Sequence, residues 1–305
     1  MDVRESLSLS SEELRESYVI RNLTKGISNL FKDRLTKLAV LYILFVLLLG
    51  LFGPMLSPYE YDAQQFSEDG TLDRLESPNS EHLLGTTQRG EDVLSRILYG
   101  ARPTVITGLL GGFMMVGIGM SIGVTAGYLG GTTEAVLMRF TDFVYGVPLI
   151  PFALVLISFV GVSFIGSIFV IGLILWRGNA RVMRSQVLQI KNRSYIQSAR
   201  AVGASPSHII FKHILPNLTG MAVLFFSIGI GIAIIYQANL AFLGVSNPFL
   251  PSWGIMVRNA YNSGYMTIAW WWSMIPGFMI SLTVLSTFLI GRGYETDSSD
   301  QIGVM

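Results

Sequence analysis

Few side chains in this sequence stand at spacings that enzymes or metal sites use. His208 and His213 lie five residues apart with no carboxylate nearby, a pattern that predicts polar loop residues rather than metal ligands. One Gly-x-Ser-x-Gly string, Gly119 to Gly123, has the spacing of a nucleophile elbow but lies inside an apolar run, so we expect Ser121 to pack against a neighbouring helix. The dipeptide Gly-Lys never occurs, so the phosphate-binding loop of many ATPases is absent. We therefore predict no catalytic residue, no metal and no cofactor.

The stretch that stands out is basic. Residues 176–217 carry seven Lys or Arg and no Asp or Glu, and they lie between two long apolar runs. Here the sequence predicts a helix that ends at Gly203, then Ser205 as the N-cap and Pro206 as the first residue of another helix. Two short helices that meet at a glycine would form a compact knob. Docking of a soluble partner is the use that we expect for such a knob.

The elements that must position this stretch are membrane-spanning helices. The chain is 51% hydrophobic and 13% charged, whereas soluble domains average about 25% charged. Five uncharged runs are long enough to cross a bilayer: Leu38–Pro58, Pro103–Thr133, Phe143–Trp176, Ile214–Val257 and Asn259–Gly291. The third run holds 34 residues with glycines in its middle, so we divide it into two helices joined by a tight turn. The expected fold is therefore an all-α polytopic membrane protein with six transmembrane helices.

The distribution of charge predicts the orientation, because short loops rich in Lys and Arg stay in the cytoplasm. Residues 21–37 carry five basic residues and one acid, whereas residues 59–102 carry nine acids against four basic residues. We expect residues 1–37 and 292–305 in the cytoplasm, 38–58 as the first transmembrane helix and 59–102 outside. A core domain would cover 103–291, with its basic loop 177–217 in the cytoplasm. We expect no cleavable signal, since the first apolar run begins only at Leu38.

Three other patterns each have a structural and a functional interpretation. Gly119, Gly123 and Gly127 fall on one helix face, which favours close packing of another helix, the alternative being a translocation path or a partner subunit. The aromatic residues between 244 and 272 are typical of an interfacial belt, the alternative being an external gate. Charges near the membrane, such as Glu134 and Asp142, avoid the middle of the spans, which disfavours an ion-coupled carrier.

The residues of the predicted knob resemble a known motif. The run Gln197-Ser198-Ala199-Arg200-Ala201-Val202-Gly203, with Leu215-Pro216 after it, resembles the EAA motif of permease subunits of binding-protein-dependent ABC importers. Gln197 and Ser198 replace the usual Glu and Ala, and His213 stands where many members have Ile. The resemblance implies that the ATPase-coupling residues are Gln197, Ser198, Ala199, Gly203, Ala204, Ser205 and Pro206.

Further stretches resemble the C-type permease of dipeptide, oligopeptide and nickel importers: residues 82–102, 211–217, 242–257 and 269–293. Glu91 stands where Arg is more usual, and Arg292 replaces a common acid. The resemblance implies a type I ABC importer permease fold in a prokaryotic plasma membrane. It also implies four kinds of neighbour: a second permease subunit, two cytosolic ATPase subunits, an extracytoplasmic solute-binding protein and membrane lipid. No nucleic acid is expected.

The expected function is a permease subunit, not itself an enzyme, that forms the path for a small solute and couples to ATPases. Di- or oligopeptides are the substrate that we expect, and nickel or a sugar is the alternative for the same assembly. An ion-coupled secondary carrier or a membrane scaffold that does not transport are competing classes. Neither of these explains the EAA-like stretch.

Overall fold

The computed structural model describes residues 30–31, 33–161, 163–247 and 249–300, except the side chains of residues 160 and 295–300. Most of the predicted segment 1–37 and part of the tail 292–305 lie outside this range. Within it, the structure is helical, with three isolated β-bridges and no strand. The helices are α1 (Arg34–Leu56), α2 (Val93–Leu129), α3 (Gly131–Gly146), α4 (Leu149–Val160), α5 (Phe164–Lys191), α6 (Ser194–Ala201), α7 (Pro206–Ile209), α8 (Leu215–Phe242), α9 (Trp253–Asn262) and α10 (Trp270–Asp300).

Five helical stretches within the described part are long and apolar enough to cross a membrane. They are α1, α2, α5, the stretch Pro206–Phe242 and the first part of α10. Helices α3 and α4 meet at a bend of 92° and make a sixth crossing if the pair counts as one span. The expectation of an all-α polytopic membrane protein is confirmed. If the pair crosses, it is the third of six crossings and is broken rather than straight.

Proline chemistry explains the bend. A residue before proline avoids helical dihedrals, and Val147, which precedes Pro148, is extended at φ −80° and ψ 125°. The guanidinium of Arg177 donates to the carbonyl oxygens of Val144 (2.9 Å) and Val147 (3.1 Å) and so satisfies groups that the end of α3 leaves open. The chain turns again at Gly161, where φ is +90°. The predicted division of this apolar run is thus confirmed, although its first half belongs to a helix pair that begins at Gly131.

Helix α2 begins ten residues before the apolar run that predicted it, at Val93 rather than Pro103. The carboxylate of Asp92 caps it and accepts from the Ser95 amide at 2.7 Å. Pro103 is consequently inside the helix. Asp33 caps α1 in the same way, and hydrogen bonds from Thr36 hold the pKa of its carboxyl below the ordinary value of 3.8.

Helix α2 is the centre of the bundle and packs along α5 and α8, while α10 packs against α8 and α1. Gly119, Gly123 and Gly127 form the contact with α5, as the packing interpretation predicts. A Cβ added at Gly123 would lie 2.5 Å from the Ala180 carbonyl oxygen. Ser121 points away from this contact: it is exposed and donates to the Gly117 carbonyl within its own helix. The expectation that Ser121 packs against a neighbouring helix is therefore wrong.

Residues 57–92, which we call the acidic segment, fold onto the start of α2. His82 is 3% exposed, and its Nδ1 lies 3.1 Å from Asp92 Oδ1 while its Nε2 lies 3.9 Å from Asp73 Oδ2. A second buried pair joins Glu91 to Arg96 at 2.6 Å. These charged groups are buried in partnered form, which is the condition under which burial is tolerated.

Three of the tryptophans after Gly244 belong to the core rather than to an interfacial belt. Trp253, Trp271 and Trp272 are buried, and Trp270 is exposed. The indole of Trp253 donates to the Ile97 carbonyl at 3.0 Å, and that of Trp271 donates to the Thr86 carbonyl at 3.2 Å. These bonds fasten α9 and α10 to α2 and to the acidic segment. The belt interpretation is therefore wrong for three of the four tryptophans between 253 and 272.

Candidate functional site

Helix α6 ends in a tight glycine turn. The Gly203 amide donates to the Arg200 carbonyl (2.9 Å) and the Ala204 amide donates to the Ala199 carbonyl (3.0 Å). This pair of bonds is the Schellman motif, which needs a residue in the left-handed region at its turn. Gly203 is that residue, with φ +84°. The predicted helix end at Gly203 is confirmed.

The next helix starts where Ser205 and Pro206 predict it. The Ser205 hydroxyl accepts from the His208 amide at 3.3 Å, and Pro206 occupies the first turn, where its missing N–H costs nothing. This second helix is not short, however. It passes through one π-helical stretch, Ile210–Ile214, directly into α8. The predicted pair of short helices is thus one short helix followed by the first turns of a span.

The π-helical stretch explains an unexpected contact. In an α-helix, residues five apart point in directions that differ by about 140°. A π-helix bonds each residue to the fifth one along, so residues five apart point in more similar directions than they do in an α-helix. The rings of His208 and His213 lie 5.8 Å apart, and Tyr195 from α6 lies 6.1 Å from His213. The two histidines are therefore helical residues that join α6 to α7, not loop residues. Among the described residues, no three or more His, Cys, Asp or Glu side chains are grouped to hold a metal.

Residues 192–214, which we call the knob, are anchored by buried isoleucines. Ile196, Ile209 and Ile214 are fully buried, in a cluster with Tyr128 of α2 and Val187 of α5. Opposite this anchor, the knob presents its surface. Gln197, Ser198, Gly203, Ser205 and Pro206 are exposed, and Ala199 and Ala204 are half-buried. The fold thus brings together all seven residues of the predicted coupling site at one end of the bundle.

Two apolar residues of the knob surface were not predicted from the sequence. Val202 is 86% exposed and Phe211 is 65% exposed. Val202 lies six residues after the anchoring Ile196, which places it on a different side of α6. This difference in angular position around the helix could have identified Val202 as a surface residue.

Four of the seven basic residues of 176–217 serve the bundle itself. Arg177 caps α3. Arg181 pairs with Asp142 at 2.7 Å and lies over the Tyr145 ring. Arg184 forms an ion pair with Glu134 through two of its nitrogen atoms. Lys191 donates to the Tyr128 carbonyl at the end of α2 at 2.7 Å. All four lie on α5, which continues to Lys191. The knob is therefore smaller than the predicted loop 177–217, and its own basic residues are Arg193, Arg200 and Lys212.

A multi-pass helical bundle that carries an exposed helical knob at one end is the architecture expected of a membrane permease subunit. Comparison with known families agrees. Residues 119–295 match the model described as binding-protein-dependent transport system inner membrane component. Residues 26–78 match the N-terminal TM domain of oligopeptide transport permease C. The chain belongs to the binding-protein-dependent transport system inner membrane component family.

Individual relatives are similar over most of their length. The chain is 33% identical to the dipeptide transport system permease protein DppC of Bacillus subtilis over 269 residues, 87% of this chain and 81% of the relative. It is 35% identical to the glutathione transport system permease protein GsiD of Pectobacterium atrosepticum over 84% of this chain and 83% of the relative. It is 28% identical to the oligopeptide transport system permease protein OppC of Haemophilus influenzae over 86% of this chain and 83% of the relative.

Proposed function

We propose that this chain is the translocation subunit of an ABC importer for short peptides. The observation that carries the proposal is the similarity, across more than four fifths of the chain, to permeases named for dipeptide, glutathione and oligopeptide transport. The three named substrates share a peptide backbone with a free carboxylate. A short peptide is therefore the substrate class expected here.

The proposed orientation places the acidic segment outside the cell and the knob and both termini in the cytoplasm. The basic residues at 21–37 and on α5 and the knob support it, because such residues are retained on the cytoplasmic side. The nine acids of residues 57–92 lie at the opposite end of α2 from the knob. A solute-binding protein would then deliver its ligand at the end that carries the acidic segment.

The knob is the proposed contact with a cytosolic ATPase. Gln197, Ser198 and Ala199 from α6, with Gly203, Ala204, Ser205 and Pro206 from the turn, would meet the ATPase, and Val202 and Phe211 would add apolar area. The knob moves as a unit with the bundle because its isoleucines are buried against α2 and α5. Since α7 continues into α8, a displacement at Pro206 acts on a membrane span without an intervening loop. ATPase closure could in this way bias the bundle between outward-open and inward-open arrangements.

The chain would work with a second permease subunit, two ATPase subunits, an extracytoplasmic solute-binding protein and the surrounding lipid. Its sequence holds no Gly-Lys dipeptide, so nucleotide would bind to the partners. Each subunit would then contribute a separate part of the transport cycle.

Reconstitution tests this proposal. The complete complex in liposomes, with its binding protein, should accumulate labelled dipeptide only when ATP is supplied. The single chain should neither hydrolyse ATP nor transport. Accumulation by the single chain under an ion gradient would support the secondary carrier instead. A binding protein that carries nickel or a sugar, identified by mass spectrometry of its native ligand, would overturn the peptide assignment but keep the importer.

A further inference from the structure

Arg258, in helix α9, holds its guanidinium against the end of helix α8. Helix α8 ends in a second Schellman turn, in which the Gly244 amide donates to the Ala241 carbonyl (3.1 Å) and the Val245 amide donates to the Leu240 carbonyl (3.0 Å). Gly244 has φ +88°, and a Cβ added there would lie 2.6 Å from Arg258 Nη2. The guanidinium therefore packs against the backbone of Gly244, and a side chain at position 244 would occupy the same space.

Arg258 differs from the other arginines that are at least half-buried in the described part of the chain. Arg96 pairs with Glu91, Arg177 caps the end of α3 and Arg184 pairs with Glu134. Arg258 is half-buried as well, but none of the described residues forms a hydrogen bond or an ion pair with its side chain.

The neighbouring sequence offers it no carboxylate. Residues 143–294 contain no Asp or Glu, so any protein carboxylate for Arg258 must come from outside this stretch or from another chain. The guanidinium lies at the carboxyl end of α8, where the helix dipole favours a cation, and none of its nitrogen atoms is fully buried, so an anion can reach it. Arg258 thus has the features of a residue whose anionic partner arrives from elsewhere.

The surroundings of Arg258 indicate what kind of anion would fit. Tyr261, one turn along α9, is exposed, and its ring lies 5.3 Å from that of Phe242. The site lies at the same end of the bundle as the acidic segment, because the Tyr61 hydroxyl donates to the Phe249 carbonyl at 3.1 Å. In the proposed orientation this is the end of the bundle that faces the outside of the cell. An arginine on the same end of the bundle as this aromatic pair suits a small ligand with a carboxylate and an apolar side chain.

We propose that Arg258 binds the C-terminal carboxylate of the peptide as it enters the permease. This inference rests on the proposed peptide function and names the group that the permease itself recognises. The planar guanidinium matches a carboxylate with two parallel hydrogen bonds. Every linear peptide carries that carboxylate whatever its side chains, so the contact selects peptides as a class. Phe242 and Tyr261 would contact the side chain of the last residue.

The test uses the complete complex in liposomes with its binding protein and a labelled tripeptide whose last residue carries a photoreactive ring. Arg258→Gln should lower ATP-driven uptake at least about tenfold, since charge-assisted hydrogen bonds to the carboxylate are lost. Arg258→Lys should retain part of the uptake because it keeps the charge. Arg139→Gln, at an exposed arginine of α3 outside both the acidic segment and the knob, is the matched control and should behave as the unchanged complex does. Photolysis should attach the probe within residues 242–262, and Arg258→Gln should abolish that product.

Uptake by Arg258→Gln within twofold of the unchanged complex would overturn the inference, as would attachment of the probe outside residues 242–262. If Arg258→Gln instead weakens binding of the binding protein to the complex, the anion is an acidic side chain of that protein, and the substrate role is wrong. If Arg258→Lys and Arg258→Gln both fail to assemble, a structural role replaces the proposed one. No peptide uptake by the unchanged complex would overturn the peptide function, and with it the identity of the anion.

Discussion

At the scale of the residue, one backbone dihedral shapes the proposed coupling site. Gly203 has φ +84° and open space around its α-carbon, so a side chain there meets no neighbour and is opposed only by the left-handed conformation. Gly264 is a matched position. It follows α9 with φ +77° and similarly open space, but belongs to the turn between α9 and α10 rather than to the knob.

We expect Gly203→Val to weaken ATPase docking, because a β-branched residue cannot hold the left-handed turn that aims α6 and α7. Gly264→Val should cost similar stability, on the order of 1 kcal/mol, and leave docking intact. Co-purification of the ATPases and substrate-stimulated hydrolysis measure the difference. Equal docking by both variants would mean that Gly203 merely ends a helix.

His82 makes a second prediction at this scale. Its ring lies between the carboxylates of Asp73 and Asp92, and it is tilted against the Tyr59 ring at a centroid distance of 5.6 Å. We expect His82→Ala to leave two buried carboxylates with a lost partner, at a cost of about 1–3 kcal/mol, and to loosen the acidic segment. Limited proteolysis and hydrogen exchange across residues 57–92 would detect this. Glu81→Ala, at the exposed neighbouring residue, is the control, and equal protection in both variants would contradict the assigned role.

At the scale of the element, the knob has one face that anchors it and one that is free to dock. Ile196 is fully buried in the cluster with α2 and α5, whereas Val202 is exposed. We expect Ile196→Ala to destabilise the attachment of the knob by about 2–4 kcal/mol through the cavity it leaves. Val202→Ser should change stability by less than about 0.5 kcal/mol, yet weaken ATPase docking through lost apolar contact.

Thermal unfolding of the detergent-solubilised complex and ATPase co-purification separate the two effects. Loss of docking with unchanged melting is the expected result for Val202→Ser alone. Should Val202→Ser dock normally, the exposed apolar residues of the knob would not belong to the contact surface.

At the scale of the whole molecule, the acidic segment and the knob stand at opposite ends of α2. The sequence contains no cysteine, so single substitutions can report on each end without a background. Ser80 and Ser207 are both exposed. We expect an impermeant maleimide to label Ser80→Cys from outside intact cells and Ser207→Cys only after the membrane is opened. Labelling of both from the same side would contradict the proposed orientation.

Features that depend on neighbours along the chain could be predicted from the sequence. The apolar runs, the bend before Pro148, the turn at Gly203 and the cap at Ser205 follow from local sterics and hydrogen bonding, and each is present in the structure. These features suffice for the fold class and for the location of the knob.

Which of the basic side chains remain for the knob depends on contacts between distant parts of the chain. Arg184 finds Glu134 across 50 residues and Arg181 finds Asp142 across 39, and no periodicity in the sequence encodes such pairs. The same holds for Trp253 and Trp271, whose backbone partners lie 156 and 185 residues away. Burial and charge pairing depend on which helices pack together, so Arg258 could be recognised as a half-buried arginine without a partner only once α9 was placed against the end of α8.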